Sequence, residues 1–448
     1  MFFDTIAAIS TPIGTGGIGV IRVSGNNAIS IVTKIFNKNL ENKKSHTIHY
    51  GHVLDGVEII DEVLVMLMRA PKTFTREDVV EVNCHGGEVV LNRVLQLLLV
   101  NGARLADAGE FTKRAFLNGR IDLAQVEAIM DIISAKTSLS LKQATNQLMG
   151  SLSKNIKKCQ NILLGIISKI EVSIDYPEYD EAEQILGGFT EEISNLLKKL
   201  KTILQTADTG KIIREGAVVS IVGRPNAGKS SLLNALLEED KAIVTDVAGT
   251  TRDIVSEHFS IEGVPFILQD TAGIRNTTDI VEKIGVERAK QAVENSDLII
   301  MVFDANEEIS LEEKEIIKLS ENKNKIFVIN KIDCCNENKY AFLDDKIEIS
   351  AETGYGIDSL KYKMKDSVIT ENQIARDAPI ISNIRQKTAL ILAIEALERV
   401  ENAIKNGFSV DFLAIDLQDA YAHLGMIIGE EVKEEIINGL FERFCLGK

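Results

Sequence analysis

Residues 223–230 have the types and spacing of a phosphate-binding loop. They read GRPNAGKS, which fits the pattern G-x-x-x-x-G-K-[ST], and they lie between the strand-like run AVVSIV and the helix-like run SLLNALL. In this context, successive backbone N–H groups and the start of a helix form a cradle for phosphate oxygens. We expect Lys229 to reach the terminal phosphates and the hydroxyl of Ser230 to bind Mg²⁺.

Two further segments offer groups for the terminal phosphate and its metal ion. Thr250 and Thr251, in AGTTRD, supply a hydroxyl for Mg²⁺ and a backbone N–H for the γ-phosphate. Asp270, in DTAG, can hold the metal through water, and Gly273 allows the backbone to approach the phosphate closely. These segments occur in the order typical of a nucleotide hydrolase.

Two later segments select the base. NKID (330–333) ends a strand-like run, and the Asp333 carboxylate can accept both N–H donors of guanine N1 and N2, which adenine lacks. SAETG (350–354) resembles the loop that touches the guanine oxygen. The set predicts a Ras-like GTPase domain of the translation-factor group. The predicted GTP-binding residues are Asn226, Ala227, Gly228, Lys229, Ser230, Ser231, Thr245, Asp246, Val247, Ala248, Gly249, Thr250, Thr251, Asp270, Thr271, Ala272, Gly273, Asn330, Lys331, Asp333, Ser350 and Ala351.

The residue after DTAG raises the question of how GTP would be hydrolysed. Many GTPases carry a glutamine there that orients the attacking water, whereas this chain has Ile274, whose side chain makes no hydrogen bond. A monovalent cation near the β- and γ-phosphates could supply the positive charge that an arginine finger commonly provides. Asn226 could donate a side-chain oxygen to such an ion, and the loop TDVAGTT (245–251) could add backbone carbonyls.

A carboxylate downstream of DTAG is the natural group to orient the attacking water. Glu282, in DIVEKIG, is the favoured candidate, and Asp279 and Glu287 compete with it. The predicted catalytic residues are therefore Glu282, Lys229 and Thr251.

Composition limits the class of protein and its partners. A chain of 448 residues is too long for one core, and its formal net charge of −16 offers no basic majority for nucleic acid. A nucleic-acid role must therefore use a local patch or a basic partner. The 5 cysteines show no metal spacing, and no signal peptide or membrane-length apolar run is visible. We expect a cytoplasmic protein with reduced thiols.

The spacing of apolar residues divides the sequence into four regions. Residues 1–118 mix short β-rich runs with helical spacing, and residues 119–211 have the three- and four-residue apolar spacing of amphipathic helices. Residues 212–372 alternate apolar strand-length runs with helices, which predicts a parallel sheet covered on both faces. Helical spacing returns in 373–448. We expect an N-terminal α/β domain and an all-α helical domain that is interrupted by an inserted Ras-like P-loop G domain.

The motifs together resemble the MnmE (TrmE) family of tRNA modification GTPases. The resemblance is carried by GRPNAGKSSLLNALL, IVTDVAGTTRD, DTAGIR and the tail FCLGK. It extends to the first hundred residues through DTIAAISTPIGTGGIGVIRVSG, FTREDVVEVNCHGG and GEFTKRAFLNGRIDLAQVEAI. It therefore covers nearly the whole chain.

This resemblance implies a reaction and partners. Members of the family act with a FAD-bearing flavoprotein, MnmG (also called GidA), as a heterotetramer. Together they add an aminomethyl or carboxymethylaminomethyl group to carbon 5 of the wobble uridine of certain tRNAs. The one-carbon unit comes from a tetrahydrofolate derivative (5-formyl or 5,10-methylene). Members form homodimers through the N-terminal domain, and their G domains come together in the GTP state.

The resemblance also implies roles for residues of the G domain. Potassium stands where an arginine finger would, and the positions that match its ligands are Asn226, Thr245, Val247 and Thr250. Ser230 and Thr251 match the ligands of Mg²⁺, and Glu282 matches the glutamate that orients the water.

A folate site follows from the same resemblance. Arg22, Glu81 and Arg120 match positions that hold folate, although lysine also occurs at the third position. Lys448, in the tail CLGK, matches a residue that contacts the ligand, and Cys445 lies near that pocket with a structural or positioning role.

Three other interpretations are weaker. GTGGIG (14–19) fits a dinucleotide fingerprint, but it precedes a strand instead of a helix, so we interpret it as a close-packed turn. A ribosome-assembly GTPase that switches between RNA-bound and free states would share the G motifs, but it usually adds a basic RNA-binding domain. A membrane-remodelling GTPase would need an amphipathic membrane element, and none is visible.

Overall fold

The computed structural model describes most of the chain, and its gaps bear on the predicted site. The described residues are 4–175, 182–238, 257–268, 294–334, 340, 343, 345–369, 379–408, 410–430, 432–442, 444, 447 and 448. Several predicted site residues lie outside them: 245–251, 270–273, Glu282 and Cys445. Contacts between backbone positions divide the chain into two units, Met1–Met130 with Ile428–Lys448, and Asp131–Ile427.

The first unit is built on a mixed sheet of six strands. Its strands are β1 (Ile6–Ile9), β2 (Gly16–Ser24), β3 (Thr47–Asp55), β4 (Glu58–Met68), β5 (Val79–Gly86) and β6 (Arg104–Leu105). Their order is β3-β4-β5-β2-β1-β6, and the neighbours are antiparallel except for β1 and β6. The helices are α1 (Ala28–Ile35), α2 (Glu88–Val100) and α3 (Glu110–Leu117), and α4 (Leu123–Ser134) runs into the second unit.

Alternation along the strands gives this sheet two different faces. Ile21 and Val23 of β2 are fully buried in a core with α1 and α2. Because successive side chains of a strand point to opposite faces, Arg22 lies on the other face. There Ala8 of β1 and Phe111 of α3 form a smaller buried cluster.

Gly16, Gly17 and Gly19 of GTGGIG lie in β2 instead of a turn, and the predicted close packing is found at Gly19. A Cβ on Gly19 would lie 2.5 Å from a methyl carbon of Leu91, and a Cβ on Gly86 would lie 2.4 Å from the carbonyl oxygen of Gly16. The glycines are therefore needed where α2 and β5 approach β2. The register of β2 against β5 also shifts between Gly16 and Gly19.

The second unit contains the alternating α/β region as a six-stranded sheet. Its strands are β7 (Ala217–Val222), β8 (Glu257–Ile261), β9 (Val264–Leu268), β10 (Leu298–Asp304), β11 (Lys325–Asn330) and β12 (Lys346–Glu348), in the order β12-β11-β10-β7-β9-β8. All described neighbours are parallel except β8 and β9. Glu262 and Gly263, at φ 48° and 85°, form the tight turn that makes β8 antiparallel to β9.

The prediction that helices cover both faces of this sheet is confirmed. Helices α9 (Lys229–Glu238) and α11 (Ile357–Val368) pack on one face, and α10 (Leu311–Leu319) packs on the other. Along β10, Ile300 and Val302 enter the first core, whereas Met301 and Phe303 enter the second. This is why β10 reads as a continuous apolar run.

Helices precede and follow this sheet in the chain, as the fold prediction required. Before it come α5 (Ser138–Leu148), α6 (Ser151–Asp175), α7 (Ala182–Gln205) and α8 (Ala207–Glu215), and after it come α12 (Ile384–Lys405) and α13 (Val410–Ile428). α7 packs against α12, and Lys201 forms an ion pair of 2.6 Å with Glu398 across them. The G-domain sheet is therefore inserted in a helical domain. None of the described helices combines the length and apolar composition that a membrane span needs.

The last helix, α14 (Glu434–Phe441), belongs to the first unit, although the sequence-based boundaries placed it with the second helical segment. Phe441 and Phe444 pack with Ala115 and Leu123 in one buried cluster. Lys113 also donates a hydrogen bond of 2.8 Å to the side chain of Asn438.

Candidate functional site

The loop between β7 and α9 is packed closely against the ends of the neighbouring strands. A Cβ on Gly223 would lie 2.3 Å from the carbonyl oxygen of Val302, and a Cβ on Gly228 would lie 2.1 Å from Nδ2 of Asn330. Asn226 lies at the exposed tip of the loop with a positive φ of 64°. A side chain at either glycine would thus push the loop away from the sheet edge that supports it.

Lys229 lies over this loop. Its ammonium donates hydrogen bonds to the carbonyl oxygens of Gly223, at 2.7 Å, and Arg224, at 2.6 Å. Burial lowers the pKa of Lys229, and the nearby carboxylate of Glu313 partly opposes that effect. Phosphate oxygens would replace neutral carbonyls with charged acceptors and so favour the protonated ammonium.

Asn330 of the NKID segment joins three loops. Its side chain is buried, Nδ2 donates to the carbonyl oxygen of Ala227 at 2.9 Å, and Oδ1 accepts from the backbone N–H of Ala351 at 3.0 Å. The phosphate loop, the NKID segment and the SAETG segment are therefore fastened to each other at one edge of the sheet. Asn330 was predicted as a GTP-binding residue, and its described contacts are with these loops.

Asp333 is exposed beside this junction. Its Oδ2 accepts a hydrogen bond of 3.0 Å from the thiol of Cys334. This bond and a second one from Ser350 hold the pKa of the Asp333 carboxyl below its ordinary value. An ionised carboxylate that accepts only is the group needed to bind two N–H donors of a guanine.

Lys331 and Ser350 complete the described part of the nucleotide region. Lys331 has a positive φ of 64° and pairs at 2.7 Å with Asp304, the last residue of β10. The hydroxyl of Ser350 accepts from the backbone N–H of Thr353 at 3.3 Å within the SAETG turn.

Arg224 was missed by sequence reasoning. Its guanidinium pairs at 2.9 Å with both Glu307 and Glu313 and donates to the carbonyl oxygen of Glu308 at 2.6 Å. Glu313 also closes the capping box at the start of α10 with Ser310. Arg224 therefore ties the phosphate loop to α10. The capping box SLEE could be predicted from the sequence. Its ion pair with Arg224, at an unspecified position of the phosphate-loop pattern, could not.

A second cluster lies in the first unit, around Phe74. Arg22 and Glu81 are directly opposite in β2 and β5, and Nε of Arg22 donates to Oε1 of Glu81 at 2.8 Å. The guanidinium carbons of Arg22 and Arg120 lie 5.7 and 4.8 Å from the centre of the Phe74 ring. Burial and the charge of Arg76 lower the pKa of Arg120 from its ordinary value. The three predicted folate residues thus come together although they are far apart in sequence.

The tail reaches the same sheet. The hydroxyl of Ser10 donates to the carbonyl oxygen of Gly447 at 3.0 Å. Gly447 has φ 88°, and a Cβ on it would lie 2.3 Å from the carbonyl oxygen of Ile9. Ile9 pairs with Ile21, the neighbour of Arg22 on β2. Lys448, which is half-buried, is therefore held at the end of β1.

Comparison with known proteins covers the whole chain. The family models "MnmE helical domain" and "GTP-binding protein TrmE N-terminus" match residues 123–445 and 5–120. A tRNA modification GTPase MnmE of Streptococcus thermophilus is 48% identical over 451 residues, which cover 100% of this chain and 99% of that protein. The Listeria welshimeri protein of the same name is 49% identical over 457 residues, with 100% of both chains covered.

Solved structures resemble a smaller part of the chain. Aquifex aeolicus Era bound to GDP·AlF4⁻ is 30% identical, covers 40% of this chain and 66% of its own, and has a TM-score of 0.27. The G domain of T. maritima FeoB is 24% identical, covers 34% of this chain and 99% of its own, and has a TM-score of 0.26. These TM-scores are too low to assign a family, so the assignment depends on the full-length relatives.

The full-length match decides between the competing interpretations of the sequence. It includes the N-terminal region and the helical domain as well as the G domain, which a ribosome-assembly GTPase would not require. The chain belongs to the MnmE (TrmE) family of tRNA modification GTPases.

Proposed function

We propose that this chain is a potassium-activated GTPase that modifies tRNA together with a FAD-dependent partner. The pair would add an aminomethyl or carboxymethylaminomethyl group to carbon 5 of the wobble uridine, with a tetrahydrofolate derivative as the one-carbon donor. The observation that carries this proposal is the cluster of Arg22, Glu81 and Arg120 around Phe74, in a unit separate from the nucleotide loop. A GTPase that acted only as a switch would have no use for it.

Four described residues of the nucleotide region have a role in this proposal. Lys229 neutralises the β- and γ-phosphates, and the hydroxyl of Ser230 binds Mg²⁺ together with Thr251. Asn226 supplies a side-chain oxygen to K⁺, since it lies exposed at the tip of the loop. Asp333, whose pKa is held low, binds the guanine.

The remaining groups of this proposal lie outside the described residues. Thr245, Val247 and Thr250 complete the potassium site, and Glu282 orients the attacking water. Potassium supplies positive charge to the developing phosphate oxygens when it is bound. Ile274 is then free to be apolar, because the two functions of the usual glutamine and arginine finger are carried by other groups.

The chemistry of the cluster around Phe74 fits a reduced folate. Oε1 of Glu81 accepts a hydrogen bond from Arg22, and the carboxylate can also accept from the N–H groups of a pterin. Arg22 and Arg120 supply positive charge for the carboxylates of the glutamate tail, and Phe74 offers a ring face. Lys448 adds a cation from the tail. Bound tetrahydrofolate supplies the one-carbon unit, and these residues bind and orient it.

The negative charge of the chain favours a partner protein as the main tRNA-binding surface. A net charge of −16 opposes the association of this chain with the phosphates of tRNA. The flavoprotein partner therefore provides FAD and most of the tRNA surface, in a heterotetramer built on a homodimer of this chain.

Potassium dependence is the direct test of the nucleotide half of this proposal. GTP hydrolysis is measured in KCl and in NaCl at equal ionic strength, over a range of protein concentrations. We expect a large acceleration in KCl that is lost in Asn226→Ala. Asn306→Ala, at an exposed turn after β10, serves as the control and keeps the acceleration. Equal rates in both salts would contradict potassium activation.

A further inference from the structure

The second unit contains a cavity of about 150 Å³ outside the nucleotide region. It lies where the start of α5 meets the hairpin β8–β9 and the end of α8. Lys136 and Thr137 contribute from the α4–α5 connection, Arg214 from α8, and His258 from β8, while Phe259 supplies part of an apolar wall. We call this cavity the junction pocket.

Two bases face each other in the junction pocket. Nζ of Lys136 lies 3.1 Å from Nε2 of His258, so the ammonium donates and the imidazole is neutral. Within the part of the chain that the structure describes, no carboxylate forms an ion pair with Lys136. Burial lowers the pKa of Lys136, and burial together with the charge of Lys136 lowers the pKa of His258. An anion placed here would stabilise the charged forms of both.

Two other charged residues line the pocket, Arg214 and the exposed Glu215, and their charges oppose each other. Nε of Arg214 donates a hydrogen bond of 2.8 Å to the carboxylate of Asp131 in α4. The guanidinium also lies 4.0 Å from the exposed carboxylate of Glu215. Glu257 precedes His258 on β8, so its side chain points to the opposite face of the strand. Among the described residues, the positive charge without a carboxylate partner therefore lies at Lys136, and the neutral imidazole of His258 lies beside it.

The start of α5 adds to this positive potential. Thr137 is the N-cap and accepts from the backbone N–H of Ser140 at 3.1 Å. The helix dipole places partial positive charge at this end. The junction pocket thus combines an ammonium, a protonatable imidazole and a helix start at one opening.

We propose that the junction pocket binds a small tetrahedral oxyanion, phosphate or sulfate in type, which contacts both Lys136 and His258 and replaces the hydrogen bond between them. The volume has room for an ion of this size. Because His258 lies on the strand that follows residues 245–251, the bound ion would join that strand to the helical domain. This site is separate from the proposed nucleotide and folate sites and does not depend on either.

The test observes His258 directly in the full-length protein. Its imidazole, one of 6 histidines, is identified in the NMR spectrum by its loss in His258→Gln. The pKa of His258 is then measured in sodium sulfate, sodium phosphate and sodium chloride at equal ionic strength. We expect sulfate and phosphate to raise the pKa by about one unit, as an opposite charge within 4–6 Å does. The rise should saturate with anion concentration.

Matched variants locate the ion. Lys136→Met changes the starting pKa of His258 and should abolish its response to sulfate, whereas Lys169→Met, at an exposed helical lysine of the same unit, should keep it. Lys229→Ala should also keep the response, because the phosphate loop is a different site. The proposal is overturned if sulfate acts no differently from chloride, if Lys136→Met responds as the unaltered protein does, or if Lys169→Met loses the response as well.

Discussion

At the scale of single residues, a few buried polar side chains set the geometry of the candidate nucleotide site. Asn330 makes two hydrogen bonds to backbone groups of Ala227 and Ala351, and Arg224 ties the same loop to α10 through Glu313. Neither role involves a phosphate. Buried polar groups that lose their partner cost the full desolvation of the group left behind, so these positions resist replacement.

Replacement of Asn330 by alanine tests this role. It leaves the Ala227 carbonyl and the Ala351 N–H without a partner, which costs about 1–3 kcal/mol. We expect the affinity for a fluorescent GDP analogue to fall about tenfold or more. Asn324→Ala removes an exposed side chain on the preceding turn and should leave the affinity unchanged. An affinity of Asn330→Ala equal to that of the unaltered protein would show that the loops hold their positions without this link.

At the scale of elements, neighbouring strands place the folate candidates. Arg22 and Glu81 face each other because β2 and β5 are antiparallel and in this register, and the residues beside them enter the core. A shift of either strand by one residue would move its side chain of this pair to the opposite face. The packing of Gly19 against Leu91 is one of the contacts that hold this register.

Glu81→Gln tests the folate cluster. The amide keeps the size of the side chain but loses the charge and replaces one acceptor oxygen with a donor NH₂. We expect the affinity for 5-formyltetrahydrofolate, measured by calorimetry, to fall at least tenfold, because hydrogen bonds to charged groups contribute about 1.5–3 kcal/mol. Glu58→Gln, at an exposed position of β4, is the control and should bind as the unaltered protein does. Equal affinities of the two variants would remove Glu81 from the site.

A buried ion network makes the first unit sensitive to acid. Arg114 is fully buried and pairs with Asp4, Glu77 and Glu110. Burial alone would raise the pKa of the Glu110 carboxyl, but hydrogen bonds from Arg104, the Asp107 backbone and Arg114 hold it below its ordinary value of 4.5. A carboxyl whose pKa is lower in the folded state stabilises the fold above about pH 4.5. That stability is lost as the pH falls through the folded-state pKa.

The pH dependence of unfolding checks this network. Thermal unfolding of the full chain is followed between pH 3 and 7 for the unaltered protein and for Glu110→Gln. We expect Glu110→Gln to lower the free energy of unfolding by about 3 kcal/mol at pH 7, with a smaller loss of stability on acidification. Glu58→Gln should retain the full acid dependence. Parallel curves for Glu110→Gln and the unaltered protein would rule out a contribution of Glu110 to acid sensitivity.

At the scale of the whole molecule, the two candidate sites lie in different units and the net charge disfavours tRNA binding by this chain alone. The nucleotide region and the Phe74 cluster lie in different units of the chain, and the net charge is −16. Phosphate contacts from Lys and Arg dominate the affinity of proteins for nucleic acids. The proposed tRNA surface therefore belongs mainly to the flavoprotein partner.

Binding of tRNA to the isolated protein tests this division. We expect weak binding at physiological salt, with a shallow dependence on salt concentration, and tight binding only when the flavoprotein is added. The measurement is filter binding of cognate tRNA across 50 to 200 mM salt, a range over which 6–10 phosphate contacts would cost about 10³–10⁵ in affinity. Tight binding by the isolated protein, with a steep dependence on salt concentration, would show that this chain itself provides the tRNA-binding surface.

The sequence by itself determined the features whose chemistry is local. The phosphate loop between a strand and a helix, the NKID and SAETG segments, and the apolar runs of β7, β9, β10 and β11 each lie within a few consecutive residues. Their spacing is enough to predict the G domain and its insertion between helices. The resemblance to a family added the folate candidates, which spacing alone would not have grouped.

Only the tertiary structure decided which distant residues meet. Arg22 and Arg120 lie over the Phe74 ring and Glu81 pairs with Arg22, because two neighbouring strands and two connecting segments meet there. The antiparallel strand β8, the roles of Asn330 and Arg224, and the packing of the last helix in the first unit have the same origin. These contacts join positions far apart in the chain, and they form only when burial of apolar surface compensates for the entropy of closing the intervening loops.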